Sequence, residues 1–567
     1  MSIVLSEHLP LLATAPGGVQ KLRSLILELA LRGKLVPQNP NDEPASELLQ
    51  RIARERSRLE VEGVCKKSKP ISPVLEDDRP FKIPNSWAWV RWNDIAQKIG
   101  DIDHKMPETV KDGLPYVSPR DFYPDNRIDF HGAKKISRDD FLRLSAKIRP
   151  EIGDIIYPRY GTIGENRLVV DDLEFLASYS CCVIKTLNSF VDPKYQFYFS
   201  ISQCCRDQAK AAENKTTQAN VGIKSIQEFA IPLPPFAEQY RIAAKVDELM
   251  ALCDQLETEQ ADAEAAHARL VDTLLGTLTQ SISADDFAAN WQRLAEHFES
   301  LFTTERSLAS LKQTILQLAV MGKLVPQDPK DEPTSDLLKR IMPMRARIKA
   351  EGSRKMAAAM PFIDHNGLPN GWEVATLPEL CEVRGGATPS KAKSVYWGEG
   401  LPWVSPKDMK VEHIFDAQDH VTEQALSETR LPRIPSGSLL IVVRGMILLH
   451  SFPVATTQVE VAINQDMKSL TPLIPELQPY LALALKGWKQ QILALVDRST
   501  HGTCKLQSEK LFAFQLGIPP LAEQYRIVAK VNELMALCER LKADLAESRC
   551  RQERLTSTLI ESTLKAA

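Results

Sequence analysis

The chain carries the same text twice, and this duplication limits its fold more than any other feature. Gly33-Lys34-Leu35-Val36-Pro37-Gln38-Asn39-Pro40-Asn41-Asp42-Glu43-Pro44 returns at Gly322 to Pro333, altered only at Asp328 and Lys330. Ala237 to Asp254, AEQYRIAAKVDELMALCD, returns at Ala522 to Glu539 with three changes, Val528, Asn532 and Glu539. Weaker echoes lie between. Pro84-Asn85-Ser86-Trp87 matches Pro369-Asn370-Gly371-Trp372, and Leu114 to Asp121 matches Leu401 to Asp408. A period of about 285 residues is far too long for a solenoid, whose repeats run about 20–50 residues. It marks the duplication of a whole unit: a helical arm, a globular segment, then a long helix. Such a chain can fold about a pseudo-twofold axis. The flanks stay nearly identical while the globular interiors diverge. Identical flanks imply one task done twice, such as holding two copies of one partner, and divergent interiors imply two targets.

The long helices are legible from periodicity. Ile242, Val246, Leu249, Cys253 and Leu256 recur at heptad spacing, and so do Ile527, Val531, Leu534, Cys538 and Leu541. These ten residues are the expected helix-pairing positions. Continuing the same register reaches Gln260, Ala263, His267, Leu270 and Leu274 in one copy, and Leu545, Ser548, Gln552, Leu555 and Leu559 in the other. Pro235 and Pro520 stand where helices start. Each helix should run roughly 66 Å at 1.5 Å per residue, and the two should pair antiparallel, with His267 and Gln552 forming a polar layer. The arms read as helices as well. Leu22, Leu25, Ile26, Leu29 and Ala30 make one apolar face closed by Gly33, and Leu311, Ile315, Leu318 and Ala319 make another closed by Gly322. A charged helix follows each, over residues 45–60 and from Thr334 to about Gly352. Cys65 to Asp78 and Gly352 to Asn366 read as linkers.

The globular segments, 81–235 and 365–519, read as mixed α and β, which gives an α+β chain overall. Expected strands are Asp154 to Pro158, Leu168 to Val170, Cys181 to Lys185 and Leu439 to Val443. The remaining segments are a helical arm and linker at 1–80, the long helices at 236–282 and 520–567, and a central helical arm and linker at 283–364. Polar loops gather the side chains that address phosphates and base edges. In the first segment these are Lys134 and Lys135, then Arg159, Tyr160 and Thr162, then Asn214, Lys215, Thr216 and Thr217. In the second they are Arg444, then Arg498, Thr500, His501 and Thr503, with Lys505 just beyond.

Composition and missing motifs narrow the classes. Hydrophobic residues at 44% and charged residues at 25% describe a globular protein. No apolar run is long enough to span a bilayer, and the first twenty residues lack the basic start of a secretory signal, so a cytoplasmic location is expected. A net charge of −3 argues against a surface coated for indiscriminate nucleic-acid binding. The ten cysteines form no C-x-x-C pair, so no zinc site is expected, and the adjacent pairs Cys181-Cys182 and Cys204-Cys205 read as buried thiols on strands. There is no phosphate-binding loop, dinucleotide fingerprint, Asn-Pro-Pro-Tyr motif or nucleophile elbow. The chain is therefore expected to perform no catalysis. A coiled-coil scaffold that binds only proteins is the alternative reading.

Ile231-Pro232-Leu233-Pro234-Pro235-Phe236-Ala237-Glu238-Gln239, leading into a heptad helix, resembles the DNA-specificity (S) subunit of type I restriction–modification systems. Gly517-Ile518-Pro519-Pro520-Leu521-Ala522-Glu523-Gln524 repeats the phrase, and the arm phrase Gly-Lys-Leu-Val-Pro-Gln fits the same family. The resemblance runs from about Lys21 to the C-terminus. It implies two target-recognition domains, 81–235 and 365–519, each reading half of a split, asymmetric site in double-stranded DNA. The paired helices would act as a ruler between the half-sites. Two modification (M) subunits, carrying S-adenosylmethionine, would methylate adenine, and two restriction (R) subunits would add cleavage driven by ATP with Mg2+. This chain would bind no cofactor and no metal. By position, Tyr116, Ser118, Arg120, Arg159, Tyr160 and Thr216 would contact DNA from the first domain. Trp403, Ser405, Lys407, Arg444, His501 and Thr503 would do so from the second.

Overall fold

The computed structural model describes residues 15–63, 71–213, 220–351, 368–498 and 504–566. The fold divides into two compact units, one of Met1–Ala263 with Ser548–Ala567, the other of Glu264–Glu547. The long helices are Phe236–Gln280 and Leu521–Ala566. The unit boundaries cut each of them, so each unit holds the head of one long helix and the tail of the other.

In the first unit the arm helix Gly18–Leu31 buries Leu22, Leu25, Ile26 and Leu29, and Gly33 beyond it takes φ 67°. A left-handed residue there costs glycine least. Space also demands glycine, because a Cβ would fall inside the van der Waals radii of Pro84 and Trp87. A turn leads to a second helix, Ala45–Val61. The globular part holds an antiparallel four-stranded sheet in the order Ala96–Gly100, Cys181–Thr186, Ile155–Pro158, Arg167–Leu168. A three-stranded sheet runs Lys134–Ile136, Leu114–Val117, Leu176–Ala177, with its last pair parallel. Ala88–Arg91 pairs antiparallel with Ala230–Leu233, so the two ends of the domain meet just before the long helix.

The second unit repeats the plan. Its arm helix is Glu305–Val320, followed by Thr334–Glu351. Its larger sheet has five strands, in the order Cys381–Gly385, Met467–Pro472, Leu439–Val442, Val454–Thr457, His413–Ile414. Asp419–Val421, Trp397–Val404 and Ala462–Ile463 form the three-stranded sheet, again with one parallel pair. Glu373–Thr376 pairs with Gln515–Ile518 in the same register as the first unit's closing strands.

The near-identity of the flanks has an internal cause. In the first unit the Glu238 carboxylate is buried and accepts from Trp87 Nε1 at 2.9 Å and from Gln38 Nε2, while Arg241 pairs with Asp42. In the second, Glu523 accepts from Trp372 Nε1 at 3.1 Å and Gln327 Nε2 at 3.4 Å, and Arg526 pairs with Asp331 at 2.7 Å. The repeated arm phrase, the Pro-Asn-x-Trp phrase and the helix start thus form one clasp, built twice. Tyr195 Oη donates to the Pro232 carbonyl and Tyr480 Oη to the Gly517 carbonyl, tying each domain to its closing strand. Identity in the flanks therefore does not by itself call for a shared partner. Buried, mutually bonded side chains resist change singly, because a lone replacement leaves a desolvated polar group unpaired.

The expected pairing residues are inward, but not only against the other long helix. Ile242, Val246, Leu249 and Cys253 are buried in one core with the arm helix and the domain, with Leu256 packed on that core. Leu559, Ile560 and Leu564 from the tail of the second long helix join the same core. Ile527, Val531 and Cys538 are buried in the second unit's core, with Leu534 and Leu541 packed against it. Past Leu256 the strict heptad is kept only in part, with Leu274 packed on the second unit's core. Ala268, Val271, Leu275 and Leu278 are buried, whereas Leu270 is 51% exposed. In the other helix Thr556 is buried and Leu555 is 60% exposed. The step from Cys253 to Val271 is five turns at 3.6 residues per turn. These helices follow the straight period, from which a seven-residue repeat drifts about 20° per heptad. His267 Nε2 lies 3.2 Å from the Ser300 carbonyl, on the short helix Phe298–Leu301 that follows the helix Ala284–Glu296.

Cysteines 181, 182, 204, 205, 253, 381, 504 and 538 are buried free thiols, and Cys550 is exposed. Burial pushes the thiols of Cys181, Cys204 and Cys381 up to about 12. Cys204 and Cys205 lie on the helix Gln203–Ala211 rather than on a strand. Among the described residues no helix is long and apolar enough to cross a membrane, and no His, Cys, Asp and Glu side chains cluster as a metal site.

Candidate nucleic-acid interface

One end of each globular domain is a rim where strand ends meet, and backbone hydrogen bonds fix its layout. In the first unit Tyr116 pairs with Leu176 and Val117 with Ala177 in parallel, so Ser118 and Ser178 leave the sheet side by side. Ser178 N donates to the Val117 carbonyl at 2.7 Å, and Arg159 N to the Ser180 carbonyl at 2.9 Å. Val221 N donates to the Arg159 carbonyl, and Tyr160 bridges Asn220. The turn 118–121, the segment 178–180, the residues after the strand Ile155–Pro158 and the end of the loop before the long helix therefore form one row.

The second unit builds the row from different residues. Trp403 pairs with Ala462 and Val404 with Ile463, so Ser405 and Asn464 emerge together. Asn464 N donates to the Val404 carbonyl at 3.0 Å, and Arg444 N to the Asp466 carbonyl at 3.2 Å. Arg444 bridges Lys505 on the hairpin Val496–Arg498/Cys504–Leu506. Arg444 and Lys505, which the sequence singles out separately, are thus neighbours.

The fate of each expected contact follows from this layout. In both units the Ser-Pro-x-Asp echo is a turn cap. Ser118 Oγ donates to Asp121 at 2.8 Å and Ser405 Oγ to Asp408 at 2.9 Å, while both backbone N–H groups bond the same carboxylates. These hydroxyls are engaged in the fold. The basic residue inside each turn, Arg120 or Lys407, is exposed and makes no ion pair among the described residues. Tyr116 and Trp403 are corrections to the expectation. They are 3% and 5% exposed, because each stands at an inward position of its strand, and Trp403 Nε1 donates to the Ala387 carbonyl at 3.0 Å. Arg159 is a correction as well. Its guanidinium is buried, paired with Asp101 at 2.9 Å and donating to the Tyr179 carbonyl at 3.1 Å, with its face over the Tyr160 ring. Its counterpart Arg444 is about half exposed, with Asp466 at 3.7 Å.

Tyr160 is half-buried and Thr162 exposed beside the row. Lys134 and Lys135 are half-buried on the edge strand, with Lys134 opposite Tyr116 at the rim end. Arg498 and Lys505 are exposed on the hairpin. Asn214, Lys215, Thr216, Thr217, Thr500, His501 and Thr503 lie outside the described residues. Sequence reading missed the central segment, Ser178-Tyr179-Ser180 and Asn464-Gln465-Asp466, along with Asp101 and His104. The two segments share no residue, so no echo could flag them; only their equal place beside a parallel strand pair does.

This architecture defines a class: a doubled chain whose two domains each present a polar rim with exposed cations on a common backbone scaffold. The family model for the type I restriction modification DNA specificity domain matches it twice, at residues 84–265 and 369–547. Two Escherichia coli proteins, the specificity subunits of the type I restriction enzymes EcoAI and EcoEI, are each 32% identical to it over 96% of this chain and 94% of their own lengths. A solved chain from a study of complex assembly and conformational transition of the type I R-M system aligns with TM-score 0.46 at 19% identity, covering 86% of this chain and 99% of that one. The chain belongs to the type I restriction modification DNA specificity family.

Proposed function

We propose that this chain is the DNA-recognition subunit of a type I restriction–modification complex. It reads a bipartite, asymmetric site in double-stranded DNA, one half with each rim. The observation that carries this reading is the pair of rims: one backbone scaffold, used twice, with different side chains at its centre. A duplicated module with diverged surface residues is what two different half-sites require. Its role is to direct chemistry done by others. Two M subunits would hold S-adenosylmethionine and methylate adenine, and two R subunits, docked through them, would cleave DNA with ATP and Mg2+. This chain binds no cofactor itself.

The net charge of −3 fits this division. Affinity for the phosphate backbone grows with the number of cationic contacts, and each rim offers only a few. The lone chain should bind DNA weakly, and the complex with M should bind it specifically. The test is to purify the chain with its M partner, supply S-adenosylmethionine, and sequence the methylated positions on genomic DNA. A single split motif is expected. Methylation without sequence preference, or unchanged by loss of this chain, would refute the reading.

A further inference from the structure

We propose that Gln465, and Tyr179 at the equivalent place in the other domain, are the base-reading side chains at the centre of each rim. The proposal rests on the reading of the chain as a DNA-specificity subunit. Both residues follow the short parallel strand by two positions, after Ala177 and after Ile463. The neighbours of each are held by the fold. Ser178 and Ser180 bond each other through their hydroxyls at 2.6 Å and reach Val117 and Arg159 through the backbone. Asn464 Oδ1 accepts from Asp466 N at 3.0 Å, and the Asp466 carbonyl takes the N–H groups of Val443 and Arg444. The middle residue sits between these neighbours: Gln465 is exposed, and Tyr179 is half-buried against the first domain's smaller core, with its carbonyl held by Arg159. A fixed backbone with a variable central side chain is what changes a target without changing the docking.

The chemistry of the two centres differs. Gln465 is exposed, and its Oε1 accepts from Thr388 Oγ1, which sets the orientation of the amide. Its NH2 has no protein partner among the described residues. An amide so held can donate to adenine N7 and accept from adenine N6 in the major groove. Tyr179 instead stacks against His104, ring centroids 5.5 Å apart and 30° from parallel, and offers a hydroxyl beside an aromatic edge. We assign Gln465 to an adenine in the half-site read by the second domain.

The full chain in complex with its M subunit should be tested on a DNA library randomised across the site, with methylation scored per sequence. Gln465→Ala should relax one position of one half-site by roughly tenfold to a hundredfold and leave the other half unchanged. Gln465→Glu, which keeps the shape but only accepts, should move preference at that position from adenine toward cytosine. Tyr179→Ala should relax a position in the opposite half. A preference matrix unchanged by both Gln465 variants, or an even loss across all sequences, would overturn the assignment. The wild-type complex separates this failure from a failure of the parent reading, since that reading fails only if the wild type shows no sequence preference.

Discussion

Arg120 and Lys407 occupy the same place in two copies of one capped turn. Their neighbours Ser118 and Ser405 are consumed by the cap, so any role in DNA binding falls to the cations. Arg120→Ala and Lys407→Ala should each weaken binding of the assembled complex evenly across sequences and lower the dependence of log K on log salt by about 1, read by binding titrations at several salt concentrations. Ser118→Ala should instead act on the stability of the turn, since loss of such a cap costs about 1 kcal/mol. The clasp carboxylates set a second residue-scale expectation. Burial pushes Glu238 and Glu523 above their ordinary value near 4.5, against the opposing bonds from Trp87 and Trp372. A carboxyl with a raised folded value binds its proton more tightly when folded. Its contribution is therefore fully present below the ordinary value and is lost as pH rises toward the folded value. The double variant Glu238→Gln, Glu523→Gln should show a shallower fall of Tm as pH rises above the ordinary carboxyl value. Identical slopes in wild type and variant would count against a buried ionisable clasp.

At the scale of elements, the arm helices and long helices are one packing problem. Arg23 pairs with Asp254 and Glu257, and Lys312 at the matching arm position pairs with Glu539. The arm is thus fastened to its long helix by charge outside and by leucine and isoleucine inside. The straight 3.6 period decides which residues of the first long helix matter. Leu275→Ala should cost about 2–5 kcal/mol, while Leu270→Ala, one residue outside the buried face, should stay within about 0.5 kcal/mol. Denaturant unfolding of the two variants would decide between the straight and heptad registers. The helices themselves were readable from apolar spacing, and both arm glycines from their place at helix ends. The drift between 3.5 and 3.6 was not, because polar residues fill the middle of each helix and leave the register free to slide on paper.

For the whole molecule, the exchange of helix tails makes each unit depend on a distant stretch of chain. Deleting Ser548 to Ala567 should loosen the first unit and spare the second. Hydrogen exchange should rise in the core on which Leu559, Ile560 and Leu564 pack and along the arm helix, where Lys21 bonds Glu553 and Ser557, and stay unchanged around Leu439 to Val442. Equal loosening of both units would contradict the division. A further expectation belongs to the ruler reading. Inserting one helical turn within 258–266, the exposed middle of the first long helix, should change the tolerated gap between half-sites while leaving the methylated bases in each half unchanged. Methylation mapping of the variant complex checks it, and an unaltered gap would sink the ruler.

Sequence alone determined the duplication, the helices and the family, because each is written locally: identity between segments, apolar spacing, and a phrase at a helix start. It also marked the polar loops, though not which of their side chains are free. Tertiary structure decided that. Arg159 and Arg444 look alike in the sequence, yet Asp101 buries one in an ion pair while the other stays half exposed. Tyr116 and Trp403 belong to a polar-looking echo but turn inward at the ends of their strands. Tyr179 and Gln465 have nothing in common until a parallel strand pair sets them at the same point of the same rim. A strand pairing joins residues some sixty apart in the chain, and its energy comes from backbone bonds that any residue type can make. That is why the recognition surface, unlike the helices, left no pattern in the sequence.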